Sequence, residues 1–302
     1  MRRHTVAVVA LAVLAGACAS AGAGSEAAPD GQPRLRVGLI PNVAPEQQRA
    51  RYEPFGAYLE DGLGVDVELF VATNYTGVVT ALASDRLDVA YLGGLTYVQA
   101  EQQVDLVPLV TEVDRQTNSR EYLSAIVVAD DAPYRSLADL VAAGGSFAFG
   151  DVSSTSGSLY PRLMLVQAGA RCSPRDLLVC PPLSDVRFTG GHDASAQAVL
   201  SGAADAAGLE LRILRRLERE GAVPAGALRV LEQRRVMGYP WVARAAVDSP
   251  TRERIVAAFE AIDDPALLDL LRAERYARIS PSDYDEIRRH AAELGLLSAA
   301  AA

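Results

Sequence analysis

The chain has 302 residues, half of them hydrophobic, and that length is a prior for two domains because single cores stop growing near ~250–300 residues. Its apolar share excludes a disordered, collagen-like or low-complexity bulk, and a multispan membrane protein is excluded as well. The formal net charge is −9 with no lysine, and so acidic a chain with six Phe and one Trp is a poor candidate for nucleic-acid binding.

Residues 1–17 read as an address. Arg2 and Arg3 precede an apolar run from Thr5 to Ala15, which at about ten residues is too short for the ~20 that a spanning helix needs. A positive start, a short apolar core and small residues before a cut describe a secretory signal. Ala15-Gly16-Ala17-Cys18 resembles a bacterial lipobox with Cys18 as the acylated first mature residue, although Ala15 stands where Leu is usual. Plain cleavage near Ala17 or Ala19 is the alternative. Residues 18–33 are expected to form a flexible tether with a reach of ~20 Å. Cys172 and Cys180, eight apart, are expected to form a disulfide in an oxidising compartment. A metal site would want His or further Cys nearby.

From residue 34 strand-like and helix-like windows alternate. Leu35–Ile40 reads as a strand, Glu46–Leu59 as a helix, Val65–Val71 as a strand, then a helix through Val78 and Leu82. Leu87–Leu92 is a short buried strand, and Gly93-Gly94 turns into a helix over Leu95–Ala100. Tyr122–Ala129 is a long apolar strand suited to cross between lobes. A second set follows: helix 137–141, strand 147–149, helix 157–168, strand 186–189, helix 195–200, strand 205–209, helix 211–217 and strand 228–232. Pro240–Val247 reads as the return, and Pro250–Leu297 as a helical tail. Parallel pairing is expected among the first three strands, lobe 1 over 34–128 plus 240–302 and lobe 2 over 129–239, with a ligand cleft between the lobes.

Three stretches carry chemistry. Gly150-Asp151-Val152-Ser153-Ser154-Thr155-Ser156-Gly157 leaves a strand and opens a helix, where free N–H groups and the helix dipole favour an anion. It lacks the lysine of a phosphate-binding P-loop, so its donors are hydroxyls and amides. An N-cap that merely satisfies its own helix is the competing reading. Gly190-Gly191-His192-Asp193-Ala194-Ser195 places His192 at a strand-to-helix turn, where it could donate to an oxyanion and sense protonation. His290, on a helix face, reads as structural. Tyr75, Tyr91, Tyr97 and Tyr122 could each donate a phenol to an anion, though most tyrosines only pack.

Taken in order, Tyr75, Leu-Asp-Val-Ala-Tyr-Leu-Gly-Gly, Tyr122, the Ser-Thr-Ser-Gly run and Gly-Gly-His-Asp-Ala-Ser resemble one family. It is the PhnD-like phosphate/phosphite/phosphonate-binding proteins of ABC importers, and the resemblance covers residues 34 to 295. It implies an α/β, two-lobed type II periplasmic binding fold that closes on a phosphorus oxyanion. It also implies an inner-membrane permease as partner, a periplasmic or membrane-anchored location, and neither cofactor nor metal; a monomer is expected. By position, Ser154, Thr155, Ser156, His192 and Tyr122 would hold the oxygens, with Tyr75 and, less distinctively, Tyr97 lining the cleft. Receptors for aminoalkyl phosphonates carry an acid before the proline of the returning segment, where this chain has Tyr239. That favours phosphite, phosphate or an alkyl phosphonate, with the substituent against Tyr239 or Trp241. Two alternatives remain: a sensory lipoprotein of the same fold, and a serine hydrolase using Ser154 or Ser156 with His192 and Asp193, which lacks the GxSxG elbow.

Overall fold

A computed structural model describes residues 34–297, so the expected leader, Cys18 and the expected tether lie outside the described residues. In chain order the first elements are β1 (Arg34–Leu39), α1 (Pro45–Leu63), β2 (Asp66–Val71), α2 (Tyr75–Ala83), β3 (Val89–Tyr91), α3 (Gly94–Ala100) and β4 (Leu106–Val113). There follow β5 (Glu121–Ala129), α4 (Leu137–Ala142), β6 (Phe147–Phe149), α5 (Tyr160–Gln167), β7 (Val186–Phe188), α6 (His192–Leu200), β8 (Ala206–Glu210), α7 (Leu211–Arg219) and β9 (Leu228–Met237). The chain ends through β10 (Trp241–Arg244), α8 (Ser249–Glu260), α9 (Pro265–Leu270), β11 (Arg275–Arg278) and α10 (Asp285–Glu293).

These strands make two sheets, ordered β11-β4-β10-β3-β1-β2 and β7-β6-β8-β5-β9. Each has a parallel part, β2-β1-β3 and β7-β6-β8, built by helical crossovers. The parallel pairing expected of the first strands is present, and the remaining pairs are antiparallel, so both sheets are mixed. Helices cover both faces of β1 and β3, which is why Val37, Leu39, Val89 and Ala90 are all buried. α1 turns Tyr52, Phe55, Leu59 and Leu63 toward that sheet at helical spacing. Its end at Gly64 takes a left-handed φ of 65°, the conformation glycine adopts at no steric cost.

The strand expected to finish the first lobe belongs to the second sheet. β5 pairs antiparallel with both β8 and β9 along its length. Its run Ala125–Val128 is buried on both faces, as a central strand requires and a connecting segment does not. The chain therefore crosses through residues 114–120, a polar segment closed by an Asp114–Ser119 bridge, and returns through 238–240. β4 and β11 went unread. Pro108 hides β4, although it sits beside an irregularity in the β4–β10 pairing. β11 is a four-residue edge strand with two arginines, set in a tail that otherwise reads as helix. Cys172 and Cys180 are joined in the loop between α5 and β7, as their spacing suggested.

Candidate functional site

The two sheets meet where β6 delivers the chain to the start of α5. Ser154 caps that helix: its Oγ accepts from Gly157 N at 3.0 Å, and a single π-helical turn, Thr155–Leu159, leads into α5. The wide first turn leaves the N–H groups of Thr155 and Ser156 ahead of any acceptor in their own helix. Gly157 is required here, because a Cβ would lie 2.9 Å from Ser154 Oγ, 3.2 Å from the Gly150 backbone and 3.3 Å from His192 Cε1. The same closeness brings the serine-rich turn and the Gly-Gly-His turn into contact.

Several buried donors converge there without an acceptor among the described residues: Ser156 Oγ, Tyr122 OH and His192 Nε2. Tyr122 reaches the site from β5, and its hydroxyl lies beside Ser156. His192 Nδ1 accepts the Glu210 N–H at 3.3 Å, which puts the ring proton on Nε2 and makes that atom a donor. Burial lowers the His192 pKa to about 4, with the nearby Glu210 carboxylate only partly offsetting it. The ring is therefore neutral at physiological pH, and the expectation that it senses protonation there does not hold. The unfolded ring takes a proton below about 6.5, the folded one only near 4, so His192 lowers stability as pH falls through that window. Its ring resonances in NMR should stay fixed from pH 8 to about 5.5; a midpoint near 6.5 would contradict the buried, neutral ring.

The first sheet supplies the cover. Leu95 N donates to Thr155 Oγ1 at 2.9 Å, and Thr96 Oγ1 donates to the Ser153 carbonyl at 2.9 Å. Tyr75 N–H bonds Asp151 Oδ2 at 3.2 Å, while its hydroxyl donates to Asn42 Oδ1 at 2.8 Å and lies beside Ser154. Asn42 also accepts the His192 N–H through its carbonyl, and its Nδ2 is a further buried donor without a partner. Sequence reading missed Asn42, Thr96 and Ser124, whose hydroxyl fixes the Ser156 carbonyl at 3.0 Å. The Pro-Asn pair after β1 and the Thr two residues past Gly94 were the only local hints.

Three expected positions behave differently. Tyr97 is buried, but its ring packs edge-on against Tyr284 at 5.0 Å, and its hydroxyl senses Glu101 and Arg288 rather than the serine cluster. α3 carries it away from the cleft. Tyr239 does sit behind Tyr122, with ring centroids 5.0 Å apart, yet its hydroxyl is held by Glu210 Oε2 at 2.7 Å. Trp241 belongs to the core of the first sheet against Phe55, Tyr91 and Phe259, so no substituent can reach it. His290 lies outside the site among Glu286, Glu293 and Tyr160, and His290→Ala should leave ligand affinity unchanged in calorimetry.

Behind the tyrosines lies a buried ionic network. Arg212 reaches Glu210 at 2.6 Å, Glu112 at 2.9 Å and Asp114 at 3.3 Å, joining α7 of one half to β4 of the other. Arg272 approaches Glu210 at 3.5 Å and donates to Tyr91 OH at 2.8 Å. Burial pushes the Glu210 carboxyl up, but the two guanidiniums outweigh it and hold the pKa at about 2. Glu210 is thus charged and already neutralised by protein. Among the described residues there is no cluster that could hold a metal ion.

Comparison with known proteins gives the family. Residues 37–284 match the family described as ABC transporter, phosphonate, periplasmic substrate-binding protein. The Phosphate-import protein PhnD of Mycolicibacterium smegmatis is 31% identical over 67% of this chain and 64% of its own length. A probable ABC transporter phosphite-binding protein of Prochlorococcus marinus is 25% identical over 84% of this chain and 87% of its own. Among solved structures, a binding-protein component of an ABC phosphonate transporter from Pseudomonas aeruginosa superposes with TM-score 0.77 at 22% identity, covering 87% of each chain. The Prochlorococcus protein in complex with methylphosphonate superposes at 0.73, with 24% identity and 87% and 98% coverage. Those likenesses establish the two-lobed α/β fold. With the family match spanning most of the chain, the protein belongs to the periplasmic substrate-binding proteins of phosphonate ABC transporters.

Proposed function

We propose that this protein captures a small, non-aminated phosphorus oxyanion, such as phosphite, phosphate or methylphosphonate, and delivers it to an ABC permease as a monomer. The observation that carries the reading is the convergence of neutral buried donors, Ser156 Oγ, Tyr122 OH and His192 Nε2, on the start of α5. Neutral dipoles can bind an oxyanion strongly in a water-excluded site because the low local dielectric strengthens each bond. Binding is by closure: the second half grips the oxygens, and the turn at Gly93–Thr96 with Tyr75 covers them through bonds to Thr155, Ser153 and Asp151. A ligand that binds the closed arrangement more tightly shifts the halves toward it.

Tyr239 lies behind Tyr122, Glu210 is engaged by Arg212, Arg272 and Tyr239, and Asp151 accepts the backbone N–H groups of Ser153 and Tyr75. An ammonium would find no free counter-charge. Relatives named for phosphate and phosphite fit that preference. Calorimetry of the mature protein is expected to show binding of phosphite, phosphate and methylphosphonate, with 2-aminoethylphosphonate weaker by at least about tenfold, or ~1.4 kcal/mol. Tightest binding of the aminated ligand would defeat the assignment.

Catalysis finds no support in the same geometry. Asp193 accepts no bond from the His192 ring; its carboxylate instead accepts the Ala44 N–H at 3.3 Å. Labelling of a serine by a phosphonofluoridate would revive the hydrolase. The family is extracytoplasmic, and no helix among the described residues is long and apolar enough to cross a membrane. Retention at the membrane outer face would come from acylation of Cys18, which a Cys18→Ala variant released into the soluble fraction would demonstrate.

A further inference from the structure

A cavity of about 430 Å³ opens beside the buried ionic network, at the junction of the two halves. It lies on the far side of Tyr122 and Tyr239 from the serine cluster: Arg212 stacks over the Tyr122 ring at 4.7 Å while that residue's hydroxyl faces Ser156. Seven arginines and three carboxylates line it, in a chain whose net charge is −9. Four of the seven, Arg212, Arg215, Arg216 and Arg219, recur at helical spacing on α7, and like charges so placed destabilise a helix. Stability alone gives no reason for that face.

Arg212 is accounted for by Glu112, Asp114 and Glu210. The others are not. Arg216 is buried, its side chain 8% exposed, yet its nearest carboxylate is Glu220 at 3.6 Å, which Arg51 already holds at 2.9 Å. Its Nε and Nη1 have no hydrogen-bond partner among the described residues, nor do Nε and Nη1 of Arg272. Arg219 makes no ion pair among the described residues, and Arg215 has only Glu218 on its own helix. Of the lining carboxylates, Asp114 is engaged by Arg212 and two backbone N–H groups, Glu220 by Arg51 and Asp269 by Arg115. Burial and the neighbouring Arg272 and Arg51 lower the Arg216 pKa to about 10, the mark of a cation short of counter-charge.

We propose that this cavity is a second anion site, separate from the phosphonyl site, for a compact polyanion with two or more linked phosphoryl groups. Its volume falls in the range of small-molecule sites, ~300–1,000 Å³, and exceeds what one phosphoryl group needs. Guanidinium forks pair with phosphoryl oxygens bidentately, and several forks facing one cavity favour linked groups over a single one. Because α1 and α9 contribute from one half and α7 from the other, the site is complete only with the halves together.

The test is calorimetry with inorganic pyrophosphate at about 150 mM salt, where surface attraction beyond ~8 Å is screened. Wild-type protein should bind one equivalent, also in saturating phosphite, and Ser156→Ala should bind it equally well. Arg216→Gln should weaken binding by at least about tenfold. Should that buried variant fail to fold, the paired exposed changes Arg215→Gln and Arg219→Gln decide the matter with an expected loss of at least about fivefold, phosphite affinity being untouched. Absence of heat, equal affinity in the arginine variants, or loss of the signal in phosphite or Ser156→Ala would overturn the proposal. The arginine comparison stands even if phosphite itself proves not to bind.

Discussion

Replacing Arg212 by methionine is expected to destabilise the protein by about 3–5 kcal/mol, the cost of removing one partner from a buried ionic cluster. Three carboxylates, Glu210, Glu112 and Asp114, would lose a guanidinium that now bonds all of them from a side chain only 8% exposed. Arg272 could retain Glu210 at 3.5 Å, but it touches neither of the other two. The fall should appear as a lower urea midpoint, and adding Glu112→Gln should restore part of it. The pH dependence gives an independent check. In the native protein Glu210 is held at about 2, so its contribution is present above the ordinary carboxylate range and fades as pH falls toward 2. Without Arg212, burial dominates at Glu210 and raises Glu112, already above its ordinary value, further still, and their protonation on acidification relieves the penalty. The gap between variant and wild type should therefore narrow from pH 7 to about 5. A constant gap would mean that lost packing against Tyr122, not charge, is responsible.

Thr155→Val should have the largest effect on binding. Thr155 Oγ1 accepts the buried Leu95 N–H from the opposite half, and its own proton remains free for a ligand oxygen. Valine keeps the shape and removes both bonds, each worth about 1–3 kcal/mol when a buried polar group is left unmatched. The dissociation constant should rise by at least about thirtyfold. Ser156→Ala removes one donor and no contact between the halves, so it should cost less, about 1–3 kcal/mol. Calorimetry of both against wild type reads the difference. Equal losses would show that the bond to Leu95 adds nothing to closure, and no loss in either would displace the ligand from this site.

Much of the fold was readable because apolar periodicity reports burial directly. β1, α1, β2 and the repeated strand-helix order are continuous segments whose pattern is local. β4 and β11 were not, since Pro108 and the paired arginines of β11 mask short strands whose pairing comes from residues far along the chain. β5 shows the limit most clearly. Its apolar run announces a buried strand, but which sheet claims it depends on β8 and β9, more than seventy residues later by the register Ala125↔Leu209.

What the chain determined locally was the chemistry of the site: a strand running into Ser-Ser-Thr-Ser-Gly dictates a capped helix start, and glycines around His192 dictate a close turn. Tertiary structure decided which donors remain free. Tyr75, Tyr122 and Tyr239 look alike as residues, yet Asn42 takes the first hydroxyl, Glu210 takes the third, and only the second reaches Ser156 without an acceptor. Likewise Arg212 and Arg216 are alike as residues, while the fold gives Arg212 three carboxylates and Arg216 only Glu220, which it shares with Arg51. The physical reason is that a hydrogen bond or ion pair between distant segments is set by the packing that brings them together, and a residue's type records only its capacity to make one.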